Sequence, residues 1–169
     1  MIKMFFYYLF QSTFLLIVIV ASSALVRATV FQFSEVDGNS MEETLHDGDF
    51  LFVDKISLSI RNLKRGDIVS FKGESPNTLV VKRVIGLPGE TIMLEKGKVL
   101  VEKNDGTKVE LTETYLAKGS VTLPLSGYNF IYPKLLENEY FLLGDNRRHS
   151  DDSRVYGPIS KSRIIGFPH

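Results

Sequence analysis

The chain has 169 residues, with 20 Lys and Arg balanced by 20 Asp and Glu, and it has no cysteine. The length suffices for one domain with a hydrophobic core. A net charge of zero offers none of the basic surface that a nucleic-acid partner needs, so we expect no nucleic acid. The absence of cysteine excludes disulfides, thiolate metal sites and a cysteine nucleophile.

The first feature along the chain is an uncharged apolar stretch at residues 4–26. As a helix rising ~1.5 Å per residue it would be roughly 35 Å long, against a bilayer core of ~30 Å. A cleaved secretion signal has an apolar region of ~7–15 residues, although the small residues at 22–24 keep that alternative open. A buried core helix fits less well, because every face is apolar or small. We predict an uncleaved anchor at 1–29 with one span at 4–26.

The charges that flank this stretch predict its orientation. The amino terminus and Lys3 precede it, whereas Arg27 is the one basic residue between the span and Lys55, in an interval rich in acidic side chains. Basic residues favour the cytoplasmic side of a membrane. We therefore expect a protein of the cell membrane with a cytoplasmic N-terminus and an extracytoplasmic body at 30–169.

The body shows short runs of β-branched and aromatic residues separated by turn sequences. This spacing predicts a mainly β fold, an antiparallel sandwich or barrel. Residues 104–138 have few clear alternations and are interpreted as a variable, β-rich excursion from the main sheet. The predicted strands lie at 50–58, 67–71, 78–87, 91–94, 98–103, 108–112, 139–143 and 163–167, with turns at 64–67, 73–77, 87–90, 95–98 and 103–106.

Ser40 lies in the sequence DGNSM, directly after Gly38 and Asn39. Most serines in such surroundings are turn residues, and this segment alone favours that interpretation. A serine of this kind becomes a candidate nucleophile only if a general base lies within reach of its hydroxyl.

Lys82 lies within the sequence VVKRVIG. On a strand its side chain shares a face with Val80 and Val84. If that face points inward, desolvation lowers the pKa of the ammonium group, and the lysine can act as a general base near neutral pH. Alternatively, Lys82 extends its ammonium group to water along an edge strand. Serine–lysine pairs are a known form of nucleophile and base, so Ser40 and Lys82 together are a candidate catalytic pair.

The three histidines are weaker candidates for the base. His46 follows Ser40 by six residues but lies in an acidic turn, and His149 lies among charged residues. His169 is the last residue of the chain, where order is usually low. We expect all three to be exposed to solvent.

The segment 141–159 runs from an apolar strand into a loop dense in hydrogen-bonding groups. A solvated loop is one interpretation. The density also suits a cross-linked loop that holds a site rigid. The groups concerned are Asp145, Asn146, Arg147, Ser150, Asp152, Ser153 and Arg154.

Four segments in this order resemble the type I signal peptidases, the membrane-anchored serine–lysine proteases that remove signal peptides. GNSMEETL at 38–45 resembles the family's nucleophile segment, and RGDIVSF at 65–71 the strand that follows it. VVKRVIGLPGE at 80–90 resembles the lysine segment, and GDNRRHSDDSRVYG at 144–157 the last conserved loop of the family. Four such segments in this order after an anchor are a specific sign of this family. The short chain with one anchor is most similar to the Gram-positive type.

The resemblance implies a role for each matching residue. Ser40 corresponds to the nucleophile and Lys82 to the general base, with no metal and no cofactor. The supporting residues are Ser150, which would orient the lysine, Asp152 and Arg154, which would form a structural ion pair, Gly144 and Asp145, which open the loop, and Gly38, which stands where many relatives have an oxyanion-hole serine.

The resemblance also implies a substrate, a secretory preprotein whose signal peptide ends in a small-x-small pattern such as Ala-x-Ala. Shallow apolar pockets would reject larger side chains by clash, and the extended cleavage region would add a strand to an exposed sheet edge. Membrane lipid would be the second partner, with the two Phe of segment 30–36 at the interface. Candidate pocket walls are Val36, Met41, Leu45, Val80 and Val81, which also suit an ordinary core.

One position departs from the family pattern, because Glu43 stands where the family has proline. Proline would fix φ at about −65° and stiffen the turn, so we expect reduced or specialised activity. A non-catalytic relative that binds preproteins or regulates an active peptidase is the alternative. A serine–lysine self-cleaving protein of the repressor type is disfavoured by the span at 4–26.

Overall fold

The computed structural model describes residues 2–73 and 78–169, without the side chains of 27–29. The turn predicted at 73–77 therefore lies outside the described residues from position 74 onwards, as does the side chain of Arg27. The helices are α1 (Ile2–Thr29), α2 (Ser57–Ile60) and α3 (Ser153–Tyr156). The strands are β1 (Phe31–Glu35), β2 (Phe50–Asp54), β3 (Ile68–Lys72), β4 (Leu79–Gly86), β5 (Thr91–Glu95), β6 (Lys98–Glu102), β7 (Lys108–Glu110), β8 (Asn129–Ile131), β9 (Glu139–Leu143), β10 (Ile159–Ser160) and β11 (Ile164–Pro168).

The strands form two antiparallel sheets. Seven strands pair in the order β1-β2-β11-β3-β4-β9-β10, and four pair in the order β7-β6-β5-β8. The prediction of a mainly β, antiparallel fold behind an N-terminal apolar helix is confirmed. Within the described residues, α1 is the one helix long and apolar enough to cross a membrane, over Ile2–Val26.

One predicted strand is shorter in the structure, and some strands were not predicted. The strand predicted at 50–58 ends at Asp54, whose carboxylate accepts hydrogen bonds from the backbone N–H and hydroxyl of Ser57 and so favours the short helix α2. Strand β1 was not predicted, although it pairs with β2 along its whole length. Within the excursion at 104–138, β7 lies inside the strand predicted at 108–112, whereas β8 was not predicted, and the two strands form the edges of the smaller sheet.

Strands β4 and β9 form the wall between two hydrophobic cores. Because side chains alternate along a strand, Val84 and Leu142 face one core, whereas Ile85 and Phe141 face the other. Gly86 ends β4 beside a register shift, where a Cβ would lie 2.8 Å from Ile92, Leu135 and Phe141 side chains. The functional side chains of β4 therefore extend from a strand that both cores hold in place.

Candidate active site

Ser40 and Lys82 lie side by side, although 42 positions separate them in the sequence. The Lys82 Nζ is 2.6 Å from the Ser40 Oγ and donates a second hydrogen bond to the Val81 carbonyl at 3.0 Å. Lys82 extends from β4, where it pairs with Val69 of β3, and only 3% of it is exposed. The interpretation of Lys82 as a side chain reaching along an edge strand to water is wrong, because β4 lies inside the sheet and the amine is buried.

Burial lowers the pKa of Lys82 from its ordinary value of 10.5 to about 8. The negative charges of Asp152, Asp151 and Asp145 oppose this effect, and the positive charge of Arg154 adds to it. Desolvation has the larger effect because the ammonium group has lost most of its water and, among the residues that the structure describes, has no carboxylate hydrogen-bonded to it. A substantial fraction of Lys82 is neutral at slightly alkaline pH, as a general base must be.

The nucleophile segment is held by a tight turn. Gly38 has a φ of +94°, which favours glycine, and its N–H donates to the Asp47 carboxylate at 2.7 Å. After Ser40, the backbone N–H groups of Thr44 and Leu45 both donate to the carbonyl of Met41. Since the Gly38 N–H already has a partner, the geometry offers it no role as an oxyanion donor.

The loop 144–157 fastens onto this turn through Asn146. Its backbone N–H donates to the Ser40 carbonyl at 3.1 Å, and its side-chain amide donates to the Asn39 carbonyl at 3.1 Å. Both bonds orient the peptide groups on either side of the nucleophile. Asn146 was predicted only as one of the polar groups of the loop, without a role of its own.

Asp152 is the centre of a buried hydrogen-bond cluster, with 1% of the residue exposed. It accepts two hydrogen bonds from the Arg154 guanidinium, at 2.8 and 2.9 Å, one from the Gly144 N–H at 3.0 Å and one from the Ser150 hydroxyl at 2.8 Å. The structure therefore brings Asp152 and Arg154 together as an ion pair. Ser150 binds Asp152 and is not hydrogen-bonded to Lys82.

Gly144 sits where no side chain fits. A Cβ at this position would lie 2.2 Å from the Ser150 hydroxyl and 2.5 Å from the Ser40 carbonyl. The first position of the loop is thus packed directly between the nucleophile segment and Ser150. Glycine is required here by space, not by a positive φ.

Asp145 joins three segments of the site. Its carboxylate accepts hydrogen bonds from the Arg83 guanidinium at 2.8 and 2.6 Å and from the Thr44 hydroxyl at 2.5 Å. Arg83 follows Lys82 on β4, and Thr44 follows Ser40 by four residues. The roles of Arg83 and Thr44 were missed in the sequence, because nothing local to either residue identifies a partner at position 145.

The candidate pocket residues are buried to different degrees. Val36 and Met41 are buried, at 8% and 1% exposure, whereas the other three are half-buried: Leu45, Val80 and Val81. Val80 also packs against the core that contains Val84 and Leu142. The half-buried residues can still contact a bound peptide, and Met41 serves the fold as much as the site.

The three histidines are exposed to solvent, as expected. His46, His149 and His169 are all exposed, and the His149 ring contacts the Asn146 side chain at 3.2 Å. Within residues 2–73 and 78–169, no group of three or more His, Asp or Glu side chains is arranged to hold a metal ion.

The sequence model of the family described as signal peptidase, peptidase S26, matches residues 8–168. The chain belongs to this family. The resemblance that the four segments indicated is therefore confirmed, and the chain is a serine endopeptidase of the signal peptidase type.

Individual signal peptidases match across most of the chain. Signal peptidase I of Bacillus licheniformis is 38% identical over 159 residues, covering 94% of this chain and 85% of that protein. Signal peptidase I T of Bacillus subtilis (strain 168) is 40% identical over 157 residues, covering 89% and 78%. A crystal structure of a signal peptidase I from Enterococcus faecalis V583 aligns with a TM-score of 0.51 at 29% identity, covering 63% of this chain and 97% of that one.

Proposed function

We propose that this signal peptidase cleaves secretory preproteins with Ser40 as nucleophile and Lys82 as general base. The observation that carries the proposal is the 2.6 Å contact between the Lys82 Nζ and the Ser40 Oγ, in a site where burial lowers the lysine pKa to about 8. The Val81 carbonyl engages one N–H of the amine, which leaves the nitrogen lone pair of neutral Lys82 free to point at the hydroxyl.

The reaction follows from this geometry. Lys82 takes the proton of Ser40 as Oγ attacks the scissile carbonyl, and the negative charge moves to the carbonyl oxygen. The Ser40 N–H is one donor for that oxygen. The tetrahedral intermediate then collapses, the C–N bond breaks, and Lys82 returns the proton to the leaving amine. The same lysine activates the water that hydrolyses the acyl-enzyme.

The substrate is a preprotein that ends its signal in a small-x-small pattern such as Ala-x-Ala. In this proposal the half-buried side chains of Leu45, Val80 and Val81 form shallow walls that accept small apolar side chains. The peptide would lie extended by strand addition at residues 79–82 of β4, which precede the stretch of β4 that pairs with β9 (Arg83 to Gly86). In this proposal Gly38 shapes the turn before Ser40, Ser150 acts through Asp152, and Gly144 lets the loop pack against the Ser40 carbonyl.

The anchor completes the proposed function. Helix α1 crosses the cell membrane once, with the N-terminus in the cytoplasm and residues 30–169 outside. The apolar helix of a signal peptide then lies in the same bilayer, which raises its effective concentration near the site. Protease added to intact cells should digest the body, and full protection of it would reverse the orientation.

One experiment tests the catalytic assignment. Detergent-solubilised full chain is mixed with a preprotein, and the cleavage products of wild type, Ser40→Ala and Lys82→Met are compared by mass spectrometry. We expect cleavage after the small-x-small pattern by the wild type alone. Cleavage that survives either substitution contradicts the dyad, and no cleavage by the wild type favours a binding relative.

A further inference from the structure

Arg147 joins the excursion at 104–138 to the loop of the active site. It is 3% exposed, and its guanidinium binds the Glu113 carboxylate through two contacts, at 2.5 and 3.0 Å. The same guanidinium contacts the hydroxyl of Thr122. Its Nε donates to the carbonyl of Gly144 at 3.0 Å. Arg147 therefore links the Glu113 carboxylate of the excursion to Gly144, the glycine that packs against the Ser40 carbonyl.

Tyr115 makes a second connection from the same segment. Its hydroxyl donates to Glu113 at 2.7 Å, and the Arg83 guanidinium lies over its ring, 3.9 Å from the centroid. Arg83 follows Lys82 on β4 and binds Asp145, which follows Gly144. The contacts thus close a circuit from Glu113 to the loop, across to the lysine strand, and back through Tyr115.

Arg147 and Tyr115 both keep their protons at neutral pH. Burial pulls the pKa of Arg147 down, but the hydrogen bonds and charge of Glu113 outweigh it, so the pKa is raised. Burial and the neighbouring Glu113 charge raise the pKa of Tyr115, so its hydroxyl keeps the proton that it donates. Removing one member leaves a buried charge or donor without its partner, which is costly.

We propose that Glu113 and Tyr115 are positioning residues of the peptidase, which act through Arg147 and Arg83. By holding these two arginines they keep Gly144 against Ser40 and keep the lysine strand in register with the loop. The inference rests on the proposed Ser40 and Lys82 chemistry. It requires that loss of either residue lowers the rate of the chemical step more than it weakens substrate binding.

The test is a steady-state analysis of preprotein cleavage by the detergent-solubilised full chain. The variants are Glu113→Gln, which removes a charge, Glu113→Asp, which keeps it, and Tyr115→Phe, which keeps the ring over Arg83. Glu110→Gln is the matched control, because Glu110 lies on the same excursion and forms an exposed ion pair with Lys98 of β6. Thermal unfolding of each variant gives its folded fraction.

We expect Glu113→Gln and Tyr115→Phe each to lower kcat about tenfold with KM within about twofold, since small misplacements of reacting groups are costly. Glu113→Asp should recover part of the rate, and Glu110→Gln should match the wild type. The double variant should lose little more than the worse single variant, because both residues act through one circuit.

Three results would overturn the inference: an unchanged kcat in either variant, a raised KM with kcat retained, or a loss of kcat that only follows the unfolded fraction. Ser40→Ala in the same assay separates this failure from failure of the proposed function. If Ser40→Ala still cleaves, the dyad is wrong. If it abolishes cleavage while Glu113→Gln and Tyr115→Phe retain the wild-type kcat, only the positioning role is wrong.

Discussion

Arg83 binds Asp145 through two hydrogen bonds, and 9% or less of either side chain is exposed. The pair fixes β4, which carries Lys82, to the loop that packs against Ser40. A buried ion pair contributes little beyond what a matched apolar pair would give, but breaking it leaves an uncompensated charge. Loss of the pair between Arg83 and Asp145 should therefore lower the stability of the fold and also disturb the geometry of the site.

Asp145→Ala should therefore destabilise the protein by about 3–5 kcal/mol, because Arg83 would stay buried without its partner. Denaturant unfolding of the solubilised chain measures this change. Glu102→Gln is the control, since it breaks an exposed ion pair with Lys108 and exposed pairs contribute only about 0–1 kcal/mol. Equal effects of the two substitutions would contradict a structural role of the buried pair.

The rate of cleavage should rise with pH through the pKa of Lys82. In the proposed mechanism the active form of Lys82 is the neutral amine, and its fraction is one half at a pH of about 8. The acid limb of kcat/KM should therefore have its midpoint near pH 8 in the free enzyme. A midpoint near 6.5, the ordinary range of histidine, would point to a different base.

The same pKa predicts how stability depends on pH. The pKa of Lys82 is about 8 in the folded chain against an ordinary 10.5, so between these values the unfolded chain binds more protons and stability rises with pH. The cost of burying the amine is fully present below pH 8, at ~3 kcal/mol by linkage. Lys82→Met should gain most over the wild type at pH 7, and the gain should shrink towards pH 10.5. A gain independent of pH would contradict the lowered pKa.

The membrane contact proposed for segment 30–36 can be tested with one fluorophore, because the chain has no tryptophan. Strand β1 begins two residues after α1 ends, and its Phe33 is 61% exposed. In vesicles, Phe33→Trp should be quenched by brominated lipids, because an aromatic ring prefers the interface. Tyr128→Trp, at a side chain 78% exposed on the excursion, should not be quenched. Equal quenching would remove the proposal.

Regular β patterns and a contiguous motif could be predicted from the sequence. The alternation of VVKRVIG placed Lys82 on a face with Val80 and Val84, and turn residues bounded most strands. Strand β1 was missed because it follows the apolar helix closely and no Gly, Pro or other turn sequence separates the two elements. Strand β8 was missed because all three of its residues are exposed, so no burial pattern marks it.

The contacts that hold the site could not be predicted, because they join distant positions. Arg147 and Glu113 are 34 positions apart, and Arg83 and Asp145 are 62 apart. The segment that supplies Glu113 and Tyr115 had no local pattern that indicated chemistry. Its role depends on how the excursion packs against the loop, which is a property of the tertiary fold.

Glu43→Pro tests whether the departure from the family pattern costs activity. Glu43 is exposed, and its N–H donates no hydrogen bond within the described part of the chain, so proline would remove no main-chain contact. Proline would restrict φ and reduce the freedom of the turn, which is worth about 0.4–1 kcal/mol at a compatible site. We expect a higher kcat, by up to about fivefold, because the turn carries both Ser40 and Thr44. Glu43→Pro changes two things, because it restricts φ and also removes the Glu43 charge. Turnover assays with Glu43→Ala, which removes only the charge, separate these two causes. A gain in both variants assigns the effect to the charge, and unchanged or lower turnover in Glu43→Pro removes the hypothesis.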